Sequence, residues 1–121
     1  MENIPEKNTE RDIIITLPSS IEWEDYQKEL DAVKDSKAVM NFKVPFLPKE
    51  NMRDKITKCW LVWRGHIVGW QRVCGFVEDS SFDCTTTGNR WEGNFIQRTG
   101  PFHPVEPIEM KGFQGWRYYF Y

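Results

Sequence analysis

Trp70 and Arg72 stand two residues apart, Arg90 and Trp91 adjoin, and Arg98, Gln114 and Arg117 follow in the C-terminal third. Indole rings and guanidinium planes stack on flat π-faces, while Arg and Gln side chains hydrogen-bond base edges or phosphates. Two glycine-punctuated stretches carry the later members of this set, Gly93-Asn94-Phe95-Ile96-Gln97-Arg98-Thr99-Gly100 and Gly112-Phe113-Gln114-Gly115-Trp116-Arg117. Together the residues predict an aromatic and arginine-lined cleft sized for a base or another flat ring. The expected activity is binding: of RNA, of single-stranded or modified nucleic acid, or of a nucleotide-like ligand. Trp23, Trp60 or Trp63, and Trp116 read instead as core, because a small domain must bury most of its large rings.

Other chemistry finds weaker support. Cys84 with His103, or Cys74 with His66, could form a nucleophilic pair, but no nucleophile elbow or protease signature surrounds either. A small enzyme acting on a nucleotide-like or amide substrate is therefore the alternative, with no catalytic residue assigned. Three cysteines without paired C-x-x-C spacing and two distant histidines argue against a disulfide framework and a metal site, and no cofactor is expected. Lys111-Gly112-Phe113-Gln114-Gly115 matches neither a Walker loop nor a dinucleotide fingerprint. Glu106 and Glu109, either side of Pro107, read as solvated surface.

Charge sharpens the expectation. Residues 1–50 carry seven Lys+Arg against eleven Asp+Glu, giving −4, and residues 51–121 carry nine against seven, giving +2. That is too little for avid non-specific DNA binding, which neutralises many phosphates, so a nucleic-acid partner would be read locally, as through one unstacked base. No apolar run approaches the ~20 residues of a membrane span, and the N-terminus lacks the layout of a secretory signal; a cytoplasmic protein without membrane contact is expected. The terminal Tyr118-Tyr119-Phe120-Tyr121 would close the sheet, or, left on an open edge, serve a homodimer or a structural, partner-binding role.

The elements that must position these residues follow from pattern. Residues 1–11 are polar and aperiodic and read as a flexible arm; residues 12–121 read as one domain. Asp12 to Leu17 is a β-branched strand stopped by Pro18. Ser19 and Glu22 form a capping-box pattern, and Trp23, Tyr26, Leu30 and Val33 line one face of a helix over 20–34. Residues 38–44 alternate as a strand, and 45–57 connect, with room for one helical turn. Lys58 to Val77 is a hairpin whose Gly65-His66 turn sets Trp63 opposite Val68 and Leu61 opposite Trp70, with Trp60 on the other face. Gly69 and Gly75 mark bends. Short strands follow around 82–85 and 94–98 and at 115–121, with a turn at Thr86-Thr87-Gly88-Asn89 and an extended connection through Pro101, Pro104 and Pro107. The fold class is α+β: a small, curled mixed barrel of about six strands with one capped N-terminal helix.

This order, with Trp60-Leu61-Val62-Trp63-Arg64-Gly65-His66-Ile67-Val68-Gly69 and the closing Pro107 to Tyr118, resembles the PUA-like superfamily of small β-barrels, which includes ASCH and EVE domains and is related to the YTH domain. The resemblance covers most of residues 12–121 and implies a barrel with a cleft beside it that binds RNA or a modified base. The ASCH motif Gly-x-Lys-x-x-Glu-x-Arg has only a partial echo, in Gly88-Asn89-Arg90-Trp91-Glu92, so no catalytic residue carries over.

Overall fold

The computed structural model describes the backbone of residues 11–83 and 90–119 and the side chains of residues 12–79 and 92–119. Its elements run β1 (Arg11–Thr16), α1 (Trp23–Ala32), β2 (Met40–Val44), α2 (Glu50–Arg53), β3 (Ile56–Trp63), β4 (His66–Asp83), β5 (Arg90–Glu109) and β6 (Trp116–Tyr119). Among the described residues six strands form one mixed sheet in the order β2-β5-β4-β3-β1-β6, with β1 and β3 parallel and the other neighbours antiparallel. The expected α+β class with six strands is thus present, but the sheet is open. Its edge strands β2 and β6 share no ladder. They do approach: the Trp116 indole donates to the Phe46 carbonyl at 2.9 Å and the two rings pack at 5.7 Å. The sheet curls toward a barrel without closing into one.

Alternation divides the side chains between two faces. Ile13, Ile15, Cys59, Leu61 and Ile96 point to one face, where α1 seats Tyr26 and Leu30 against them, and Trp23, Trp63 and Phe102 pack around its end. The helix begins at Trp23 rather than near residue 20. Glu22 is its N-cap and makes no side-chain cap bond, so the Ser19 capping box does not form; Pro18 and Ile21 close a turn there instead. Glu24 and Asp25 still place negative charge in the first turn, where the helix dipole favours it.

The hairpin departs from expectation by one residue. Its turn is Arg64-Gly65, with φ of 48° and 82°, the double positive φ that a type I′ loop requires. Arg64 holds that conformation because its guanidinium lies 4.4 Å over Trp63 and donates to the Ser19 and Ile21 carbonyls. Trp63 therefore faces His66, Leu61 faces Gly69, and Trp60 faces Trp70. The shifted turn by itself keeps the expected faces; the β-bulge that leaves Val68 unpaired between Ile67 and Gly69 moves Trp70 to the face of Trp60 and Gln71 to that of Leu61.

Residues expected as separate strands and a proline connection are one long strand, β5. It tolerates Pro101, Pro104 and Pro107 because β2 pairs with it only as far as Arg98; beyond that point one side of β5 is free of ladder bonds among the described residues. At Gly69 a Cβ would run into the Phe102 ring and the His103 carbonyl, so glycine is what lets β5 lie this close to β4. No helix among the described residues is long and apolar enough to cross a membrane. The arm at 1–10, the Thr86-Thr87-Gly88-Asn89 turn and Phe120-Tyr121 lie outside the described residues.

Candidate nucleic-acid interface

The corrected register gathers chemistry on the face opposite α1. Arg117, Ile14, Trp60, Trp70 and His103 are successive partners across β6, β1, β3, β4 and β5, a single row spanning five strands. Trp70 and His103 stack at 4.0 Å with planes 16° apart; Trp60 lies 6.4 Å from Trp70 and 5.3 Å from Tyr119. Ile14, Val62 and Ile67 form the apolar floor beneath these rings. Trp60 is nearly buried, whereas Trp70 is half-buried and His103 exposed.

A charged row runs beside the rings. Lys58 faces Arg72 across the β3–β4 ladder, and Arg72 in turn faces Thr99 on β5. The Lys58 ammonium sits 4.6 Å over Trp70. Ion pairs among the described residues join Arg53 to Glu78 and Arg64 to Glu22, so neither Lys58 nor Arg72 has an anionic partner there. Like charges directly opposite one another destabilise a sheet, and a bound anion between them would relieve that repulsion. Arg117, exposed on β6, lies with its guanidinium 4.3 Å over Phe113. Asp12 completes the row: it faces Tyr119, accepts from the Trp60 indole at 2.9 Å and from the Thr57 hydroxyl at 3.3 Å.

Of the residues expected to line one cleft, Trp70, Arg72 and Arg117 share this face. Gln114 lies apart, on the wall of a hollow of about 520 Å³ formed by Leu17, Pro18, Phe42, Arg64 and Phe113. Arg90 and Trp91 are backbone members of β5, and their side chains, like Cys84, lie outside the described residues. Arg98 is interior, 2% exposed, on the α1 side of the sheet. An arginine closing a strand reads from sequence as solvent-facing; here the alternation of β5 turns it inward beneath Tyr26. Lys58, Trp60, Asp12, Tyr119 and His103 were not expected at the site. Lys58 and Trp60 share a two-residue period, as do Trp70 and Arg72, but it is the β-bulge at Val68, which that period does not show, that brings the two pairs face to face.

Polar groups surround the buried Arg98 guanidinium. Nη1 donates to the Tyr26 hydroxyl at 2.8 Å and to Gln71 Oε1 at 3.1 Å, while Nε has no partner among the described residues. Burial raises the Tyr26 pKa against the opposing pull of Arg98, and burial pushes the Cys59 thiol up to about 12. Both groups are therefore neutral at physiological pH and supply hydrogen-bonding atoms rather than a counter-charge. Among the described residues no group of three or more His, Cys, Asp and Glu side chains assembles as metal ligands. Cys74 and His66 lie eight residues apart on the same strand, roughly 25 Å at strand rise, too far for a nucleophile and its base. A groove of about 420 Å³ between α1 and β5, floored by Trp23, Trp63 and Phe102, is mainly apolar. No protein-family model, curated protein or solved structure matches this chain.

Proposed function

We propose that the protein is a binding module for single-stranded nucleic acid, RNA in the first instance, which it holds across the sheet face opposite α1. Bases stack on Trp70 and its neighbours, and phosphates meet Lys58, Arg72 and Arg117. The observation that carries this reading is the opposed Lys58–Arg72 pair, without an ion-pair partner among the described residues, beside the Trp60–Trp70–His103 row. Rings alone would suit any apolar partner; rings beside unneutralised cations suit a polyanion with flat faces. With so few cations, stacking has to supply much of the affinity, and sequence-independent attraction to duplex DNA is correspondingly weak.

A relation to PUA-like domains, and with it recognition of a modified base, belongs to the same proposal. Its support is the element order and the curl that brings Trp116 to Phe46. The test is fluorescence polarisation with a labelled single-stranded RNA. Trp70→Ala is expected to weaken binding by about 1–3 kcal/mol, roughly 5- to 100-fold, because one stacking platform is lost. Unchanged affinity, with the fold verified by circular dichroism, would remove the proposal.

A further inference from the structure

We infer that the face prefers a strand end bearing a phosphomonoester, held between Lys58 and Arg72, an inference that rests on the binding proposal above. The two residues are direct partners across the β3–β4 ladder, so their side chains leave the same face of the sheet about 4.5–5.5 Å apart at Cβ. Two long side chains rooted so close can close on a single phosphate. Arg72 is exposed and Lys58 half-buried, and among the described residues no ion pair or hydrogen bond holds either head group. Neighbouring polar groups are already engaged. Asp12, on the same face, accepts from the Trp60 indole and the Thr57 hydroxyl, and the Thr99 hydroxyl, opposite Arg72, donates to the Ala38 carbonyl at 2.6 Å.

Charge balance decides what fits between them. An internal phosphodiester brings one negative charge and leaves one of the two cations unanswered. A terminal phosphomonoester carries a charge of about −1.5 to −2 at pH 7 and three strong acceptor oxygens, enough to meet an ammonium and a guanidinium at once. It also offsets the like-charge opposition that the sheet otherwise holds at this ladder position. The rings place the last nucleoside beside that phosphate. His103, exposed and stacked on Trp70 at 4.0 Å, offers its outer face to the terminal base, and the Lys58 ammonium lies 4.6 Å over the same indole.

The experiment is calorimetric titration of the full chain with the RNA pentamer UUUUU in four forms: unphosphorylated, 5′-phosphorylated, 3′-phosphorylated, and carrying a methyl phosphate diester at whichever end shows the gain. The methyl ester keeps the added phosphate but holds it at one charge. A phosphorylated end is expected to bind about tenfold more tightly than the unphosphorylated strand, the value of one further charge-assisted hydrogen bond, and the form that shows the gain identifies the end recognised. The methyl phosphate form is expected to gain less than about threefold. Arg72→Gln and Lys58→Gln are each expected to remove the monoester's advantage. Should either variant not fold, the comparison of forms on the unaltered chain decides alone. Equal binding with and without a terminal phosphate, or a methyl phosphate gain as large as the monoester's, would overturn end recognition and leave the binding proposal standing. Absence of binding to every form would overturn both.

Discussion

Arg72→Gln separates a binding cation from a structural one. Arg72 is exposed, faces Lys58 directly, and belongs to no ion pair among the described residues, so the folded sheet gains nothing from its charge. Removing the charge while keeping a polar stem relieves a like-charge cross-strand pair, and stability should stay level or rise by a few tenths of a kcal/mol, up to about 0.5. Binding should respond oppositely. Three cations on this face, Lys58, Arg72 and Arg117, give a salt dependence for a single strand of about −0.7 per neutralised phosphate, or about −2.1 in all. Raising salt from about 50 to about 200 mM then lowers affinity about 18-fold for the native chain and about 7-fold for Arg72→Gln, whose slope falls to about −1.4. Polarisation titrations across that range, paired with urea unfolding, measure both quantities. A variant that binds with the native slope, or that loses stability in step with affinity, would refute the assignment of Arg72 to phosphate.

Arg98→Ala should do the reverse. It leaves Gln71 Oε1 buried without its donor and opens a void under Tyr26, costing about 2–4 kcal/mol in chemical denaturation. Because Arg98 lies on the other side of the sheet, oligonucleotide affinity below the unfolding transition should change less than about twofold, well under one full hydrogen bond. Cys59 sets an alkaline limit. Its pKa rises from 9.0 in an exposed thiol to about 12 in the fold, so the folded state keeps a proton that the unfolded chain releases. That contribution is complete below pH 9 and is lost as pH climbs toward 12, with a slope of about 1.4 kcal/mol per pH unit, and Tyr26 acts in the same direction. Urea midpoints measured through that window should fall more gently for Cys59→Ala; an identical fall would show that the thiol is not the source.

Much of the architecture is legible in residue pattern because burial has a period. Asp12 to Leu17 is β-branched and predicts β1; Tyr26, Leu30 and Val33 recur at helical spacing and are buried under α1. Pattern fails where a single residue decides geometry. Gly65 can serve either position of a two-residue turn, and Arg64 accepts a positive φ only because tertiary contacts to Trp63, Ser19 and Ile21 hold it. That choice moves the pairing by two residues, and the β-bulge at Val68 then sets Trp60 opposite Trp70. The prolines of β5 were similarly ambiguous: each forbids a central strand but permits an edge, and the point where β2 stops pairing is not written in β5 itself. Arg98 was misplaced because composition favours arginine at the surface, whereas strand alternation and a nearby Tyr26 turn it inward.

The central claim is that ligand meets the ring row opposite α1. The chain has six tryptophans, each with an indole N–H that reports its own surroundings in a proton–nitrogen correlation spectrum. Titration with single-stranded RNA should shift the Trp70 and Trp60 indole signals, while Trp23 and Trp63, on the α1 side, stay in place. Shifts confined to Trp23 and Trp63, or none at any indole, would contradict the account.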